Sequence, residues 1–282
     1  MIYEAIIQRL ANPLTRIVPS RLVKWVRIKL IRREKTEIKR PILLVTLDAC
    51  RYDTFKEVYE QGDLPGELYK AYSHATWTAP SHISMIRGVF PFSEEINVKE
   101  EIKNDYPHKV YPLPDAHKKS FAVTTMAPLS GNGLIQSDLK RFFQDYKHFM
   151  GEDKKKVTAE AEKYLEKYSD SNFFGSLNYG ETHFAYPGLE HLTFDEFREK
   201  IDSGELSPEI IRSYQEAAAE QLLAEIQGLR KHIPEGTRVI LTSDHGELFG
   251  EEGGLSHGSS GEEVFHRKLF EVPFITWVEG IE

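Results

Sequence analysis

Pro41-Ile42-Leu43-Leu44-Val45-Thr46-Leu47 is a short apolar run, partly β-branched, flanked by charge and closed by Asp48. It reads as a strand buried on both faces, because it lacks the polar alternation of a strand with one face in water. Ser120–Met126, Phe173–Asn178 and Arg238–Thr242 look alike, and a fifth run lies at Val272–Val278. Helical patterns fall between them. The clearest starts at Ser207 as N-cap, puts Pro208 at the first helical position, and runs from Glu209 to Leu229 with Ile211, Ala218, Leu222 and Leu229 on one face. Strands that alternate with helices predict an α/β fold, a mostly parallel central sheet with helices on both faces. Ligands in such folds bind beyond the C-terminal ends of the strands. The residues directly after each run are therefore the ones to read for chemistry.

A chain of 282 residues suits one large α/β domain with an appendage. The single cysteine, Cys50, excludes a disulfide framework and a cysteine-ligated zinc site. No run of about 18 apolar residues exists, so no transmembrane helix is expected. Met1–Leu10 lacks the features of a secretory signal, which makes the cytoplasm the expected compartment. The net charge of −8 is unevenly spread: residues 1–40 carry 11 Lys and Arg against 3 Asp and Glu, and residues 41–282 carry 25 against 41. An acidic body argues against nucleic acid as a partner. The expected organisation is a basic N-terminal helical segment over 1–40 and a catalytic domain over 41–282. Arg21 to Arg33 mixes basic residues with Leu22, Trp25 and Val26, which suits peripheral contact with the inner membrane surface or a helix packed on the domain with a solvated face.

Two strands end in acidic residues, Leu47-Asp48 and Thr242-Ser243-Asp244-His245-Gly246-Glu247. An Asp-His pair in one tight turn offers an oxygen and a nitrogen, which suits a divalent ion of intermediate character. Taken alone it is also an ordinary turn. A second strand-end carboxylate shifts the balance, because two neighbouring carboxylates repel unless a cation lies between them. Ser73 to Gly88 reads as a loop with Pro80 and a short helix starting near Ser81. A hydroxyl at such a helix start, beside a metal, can serve as a nucleophile.

Read in order, Val45-Thr46-Leu47-Asp48, Thr78-Ala79-Pro80-Ser81-His82 with Gly88, Thr242 to Glu247, Ser256-His257-Gly258 and Val272-Pro273 resemble the sulfatase branch of the alkaline phosphatase superfamily. The resemblance spans about residues 41–278. It implies an alkaline phosphatase/sulfatase-like fold in which Asp48, Asp244 and His245 bind a metal and Thr78 is both ligand and nucleophile. Members attack a phosphate or sulfate ester, form a covalent enzyme intermediate and then hydrolyse or transfer it. His183, in Asn178 to Pro187, would contact the charged oxygens or act as general acid. His257 would be a second substrate contact or a ligand to a second metal. One divalent ion (Mn, Zn, Mg or Ca) bound by Asp48, Thr78, Asp244 and His245 is expected; a second would need Glu181, His183 or His257.

The departures point away from sulfate. Sulfatases place a Cys or Ser, converted to formylglycine, where this chain has Thr78, which cannot be converted so. They have Arg at the position of His82, often a second acidic residue at that of Ala49, and Lys at that of Ser256. Thr nucleophiles occur in the phosphodiesterase, phosphonate hydrolase and lipid-headgroup transferase relatives. The resemblance thus implies a metal-dependent hydrolase of phosphodiesters or phosphomonoesters, on a small-molecule, glycan or lipid substrate. Its rivals are a sulfuric ester hydrolase, a transferase of phospho-headgroups onto glycan or lipid, and a non-catalytic glycan-binding domain. Transferase relatives usually carry transmembrane helices and face outward. Cys50 is expected to be a small buried residue, and Arg51 a salt-bridge partner or a phosphate contact. Trp77 and Tyr186 would line a pocket or pack in the core, and Asn132 sits in a turn. Glu247, Glu251 and Glu252 are expected to form a solvated acidic cluster. Segments 90–120 and 185–206 are expected to wall the pocket, and the extra C-terminal subdomain of many sulfatases to be missing.

Overall fold

The computed structural model describes residues 39–87, 114, 117, 119–125, 140, 142–149, 154–257 and 266–281. The expected helix over 1–40, apart from its last two residues, lies outside these, as do Gly88, Asn132, Gly258 and most of 90–120. In chain order the elements are β1 (Ile42–Leu47), α1 (Tyr52–Tyr59), β2 (Tyr69–Tyr72), α2 (Thr78–Arg87), β3 (Lys119–Thr124), β4 (Asp145–His148), α3 (Lys154–Lys167), β5 (Phe173–Tyr179), α4 (Phe194–Asp202), α5 (Pro208–Leu229), β6 (Arg238–Ser243), β7 (Leu248–Phe249), β8 (Leu255–Ser256) and β9 (Glu271–Val278).

Seven strands form one sheet in the order β2-β9-β6-β1-β5-β3-β4. β6, β1, β5, β3 and β4 run parallel, and β9 lies antiparallel to β6 and β2. The expected mostly parallel sheet is thus the observed one, with an antiparallel strand toward one edge. Alternate residues of β1 serve opposite faces. Leu43, Val45 and Leu47 pack with Phe55 and Val58 of α1, Val157, Ala161 and Leu165 of α3, and Leu222 and Ile226 of α5. Ile42 and Leu44 pack with Ile83 and Ile86 of α2 on the other side. Burial on both faces is why the run is apolar at every step but Thr46, whose hydroxyl donates to the Leu177 carbonyl at 3.0 Å. β2 and β4 went unread in the sequence, because edge strands mix polar and exposed residues and carry no continuous apolar signal.

The register sets up the site. Leu47 of β1 lies opposite Tyr179 of β5 and Ser243 of β6. Three adjacent parallel strands therefore end at one level, and the turns that follow, beginning at Asp48, Gly180 and Asp244, open side by side. Among the described residues, no helix is long and apolar enough to cross a membrane.

Candidate active site

α2 starts at Thr78, three residues before the expected helix start near Ser81. Its first helical bond is from Ser81 N–H to the Trp77 carbonyl, 3.4 Å. Pro80 does not delay the start, since first-turn N–H groups have no partner inside the helix. Thr78 thereby stands in the first turn, buried, with Oγ1 3.3 Å from Asp48 Oδ2 and 3.4 Å from His245 Nε2. His245 Nε2 lies 3.8 Å from Asp48 Oδ1 and 3.6 Å from Asp244 Oδ2. Thr78, Asp48, Asp244 and His245, far apart in the chain, are thus brought together at the ends of β1 and β6.

Local bonds orient each group. His245 Nδ1–H donates to the Gly246 carbonyl at 2.8 Å, which leaves Nε2 with its lone pair toward Thr78. Asp244 Oδ1 accepts from Ala49 N–H at 3.1 Å and His245 N–H at 3.0 Å. Ala49 donates from a left-handed conformation, φ 57°, uncommon for a residue with a Cβ and typical of turns at functional sites. Gly246 has its own reason: a Cβ there would lie 1.8 Å from the Lys268 carbonyl oxygen, so only glycine lets the two backbones approach.

The electrostatics call for a cation. Burial first, then the charges of Asp244 and Glu247, push the Asp48 carboxyl well up; burial likewise raises Asp244. Burial and the neighbouring His257 hold His245 well below its ordinary value, hence neutral. Asp48 Oδ1 and Asp244 Oδ2 are buried oxygens that take no hydrogen bond. A divalent ion would supply what they lack. Ligands about 2.1 Å from an ion in a tetrahedral array stand about 3.4 Å from one another, close to the 3.3–3.8 Å observed here. The donor set of carboxylate, imidazole and hydroxyl suits zinc or manganese, and magnesium or calcium less well.

His183 and His257 meet in a second group beside the first. Their rings are 5.0 Å apart, and His257 is 4.5 Å from the His245 ring. Glu247 joins them: Oε1 accepts from His257 Nδ1 at 3.0 Å. His183, Glu247 and His257 can offer ligand atoms all within 4.8 Å of one another. Burial opposes charge on Glu247, but His257 outweighs it and holds the carboxyl down; burial lowers His257 and Glu247 more than reverses that. Each group thus favours the charged form of the other.

Glu247 corrects the expectation of a solvated acidic cluster: it is 2% exposed, and only Glu252 of the three is fully at the surface. Glu251 instead pairs with Arg51 at 2.6 Å. The clue was its place directly after Asp244-His245-Gly246, inside the ligand turn. His82 was also missed. It lies one helical turn from Thr78 on the same face of α2, and its Nε2 is 3.6 Å from Asp244 Oδ2 and 3.4 Å from Asn178 Nδ2. Arg51 is a buried salt-bridge partner, donating to Asp53 from Nε at 2.9 Å and from Nη2 at 2.8 Å. Cys50 and Tyr186 are buried, whereas Trp77 is 38% exposed.

The Sulfatase family model matches residues 68–282. The chain belongs to the sulfatase family. None of the curated proteins compared with this family member matches it significantly. Among solved structures it is similar to the lipoteichoic acid synthase LtaP from Listeria monocytogenes, with 12% identity over 86% of this chain and 66% of that one, TM-score 0.59. It is similar to the C-terminal periplasmic domain of the phosphoethanolamine transferase EptC from Campylobacter jejuni, with 17% identity over 86% and 80%, TM-score 0.55. A third is the corresponding EptC domain from Escherichia coli in complex with zinc, with 13% identity over 88% and 75%, TM-score 0.58. At these identities the likeness speaks for the fold. This sulfatase-family chain spans slightly less than two thirds of the synthase's length.

Proposed function

We propose that the protein is a divalent-metal-dependent phosphoric ester hydrolase whose nucleophile is Thr78, acting on phosphodiesters or phosphomonoesters of a glycan, lipid or small molecule. The observation that carries this reading is Thr78 Oγ1 standing within 3.4 Å of both Asp48 and His245, in a cluster with Asp244 that fits one cation. Asp48, Asp244, His245 and Thr78 would hold the ion. When bound, it polarises the ester and favours the ionised hydroxyl. Thr78 Oγ1 then attacks phosphorus, the P–O bond to the alcohol breaks, and a phosphothreonine forms. The departing oxygen needs a proton, and His257, whose charged form Glu247 favours, is placed to give it. His183 stands beside it, with Nδ1–H given to the Phe184 carbonyl; as imidazolium its Nε2–H would donate to the ester's charged oxygens. Water then attacks phosphorus, losing a proton to the now neutral His257, and phosphate (a phosphomonoester when the substrate is a diester) leaves with Thr78 restored. His183, Glu247 and His257 are also a candidate second cation site. Their ion pair serves acid catalysis without one.

The test is turnover. Purified protein with Mn²⁺ or Zn²⁺ is expected to hydrolyse p-nitrophenyl phosphate or its diester and to leave p-nitrophenyl sulfate intact. Thr78→Ala is expected to abolish this, by roughly 1,000-fold or more, with the circular dichroism spectrum retained. Activity that survives Thr78→Ala removes the covalent step; sulfate turnover instead of phosphate reinstates the sulfuric ester reading.

A transferase reading draws on the likeness to LtaP and EptC. It shares the first half of the reaction and differs in the acceptor, a glycan or lipid hydroxyl in place of water. Added glycerol that captures more of the phosphoryl group than its mole fraction predicts would favour it. The basic segment supports attachment to the inner membrane surface. Deleting residues 1–38 is expected to release the protein from anionic liposomes in a sedimentation assay while leaving turnover of a soluble ester unchanged. Full-length protein that never sediments with them removes that role.

A further inference from the structure

Gln215 has no exposed surface, although the face of α5 around it is made of Ile211, Ala218, Ala219 and Leu222. A buried amide is costly unless its hydrogen bonds are made, and an apolar side chain of the same size would pack equally well. Gln215 makes three bonds. Nε2 donates to the Ala49 carbonyl at 3.0 Å and to the Thr182 carbonyl at 2.9 Å, and Oε1 accepts from Arg51 N–H at 3.2 Å. Ala49 directly follows Asp48, and Thr182 directly precedes His183. One side chain therefore spans the turns after β1 and β5.

Two further contacts extend the tie. Thr182 Oγ1 donates to the Asp48 carbonyl at 2.7 Å, across the same gap. The guanidinium of Arg51, whose backbone Gln215 holds, lies 4.2 Å over the Phe249 ring, bonds Glu251 at 2.6 Å and reaches the Glu247 carbonyl at 3.5 Å. All three ligand-bearing turns are thus referenced to one rigid helix.

We propose that Gln215 is a positioning residue that sets the spacing between the Asp48–Asp244–His245 group and the His183–Glu247–His257 group, and with it the distance from the attacking oxygen to the groups that receive the ester. The proposal rests on the metal-dependent reading above. Gln215 touches neither substrate nor ion; it acts through Ala49, Thr182 and Arg51.

The experiment compares Gln215→Met, which keeps length and loses all three bonds, with Leu222→Ala, a core truncation on the same helix whose side chain makes no hydrogen bond to these turns. Each protein is loaded with Co²⁺, and its visible absorption spectrum is recorded with kcat and KM for p-nitrophenyl phosphate. Gln215→Met is expected to change the Co²⁺ spectrum and lower kcat by about 10- to 100-fold, with KM moving by less than about threefold. Leu222→Ala is expected to lower Tm yet keep the wild-type spectrum and kcat. If Gln215→Met does not fold, Thr182→Val, which removes the parallel bond, is expected to show the same spectral change and loss of kcat. A wild-type spectrum and kcat in the folded variant tested, or the same spectral change in Leu222→Ala, overturns the proposal. Wild-type protein that binds Co²⁺ but cleaves no ester sinks the hydrolase reading alone, and the spectra still decide the role of Gln215. Wild-type protein that binds no Co²⁺ sinks both.

Discussion

Gly246 shows how much a single backbone contact can decide. Its missing Cβ lets the Lys268 carbonyl pass close by, and its N–H donates to the Leu269 carbonyl at 2.9 Å. A methyl group there must push apart two backbones, not a flexible side-chain end. Gly246 is bonded through its own carbonyl to His245 Nδ1, so the displacement passes directly to the candidate ligand. Gly246→Ala is expected to lower kcat/KM by about 100-fold, the scale of a misplacement of about 1 Å, and to weaken metal affinity in a competition titration. Unchanged affinity and rate would mean that the turn absorbs the methyl group elsewhere. Thr78 and His82 make the same point by spacing. Four residues apart on α2, they face the same cluster, so one helix delivers both a hydroxyl and an imidazole to it.

α5 contributes as a whole element. Its start is set locally: Ser207 Oγ accepts from Ile210 N–H, and Pro208 occupies the first turn, where its missing N–H costs nothing. Its length follows from its apolar face: Ile211 packs with Tyr186, Leu206 and Phe249 near the start, and Leu222, Ile226 and Leu229 join the core with the strands of the sheet. Ser207→Ala removes the cap and leaves the face intact. It is expected to cost about 1 kcal/mol in chemical denaturation with kcat/KM unchanged, since the cap lies two turns from Gln215. A loss well below that would show that the apolar face alone defines the helix start. β5 obeys a different constraint. A Cβ at Gly175 would stand 2.5 Å from Phe121 Cζ and 2.9 Å from Leu43 Cδ1, so the central strand carries glycine where its neighbours fill the space.

At the scale of the molecule, the site makes stability depend on pH and metal together. In metal-free protein Asp48 and Asp244 hold protons more tightly when folded than when unfolded, since burial raises both. Their contribution therefore falls as pH rises from the ordinary carboxylate range, about 4, through their raised values. His257, raised by Glu247, adds stability below the ordinary histidine range and loses it as pH climbs past its folded value. Glu247 and His245, both held down, act oppositely and lose their contribution as pH falls below their ordinary ranges. Above the histidine range only the raised groups still change, so metal-free protein weakens on the alkaline side, where a cation would restore it. Zn²⁺ or Mn²⁺ at 100 times Kd is expected to stabilise by about 2.7 kcal/mol, a Tm gain of roughly 5–10 °C at pH 8 that shrinks toward zero by about pH 5. Scanning calorimetry with and without chelator checks it; a gain independent of pH would contradict the carboxylate assignment. The apolar runs, the Ser207 start of α5 and the parallel sheet were legible in the chain, because burial on two faces and helix capping leave local marks. Asp48, Asp244 and His245 were legible as strand-end residues and, with Thr78, as members of a family order. The meeting of Asp48 with Asp244 and His245 was decided by the register of β1 and β6, and that of Thr78 with them by the packing of α2. The burial of Glu247, the approach of His82 and the threefold bonding of Gln215 left no such mark, since each depends on which distant backbone the fold brings alongside. Periodicity records what a residue's own segment must bury; only the packed sheet determines which groups from other segments stand close enough to share a cation or a hydrogen bond.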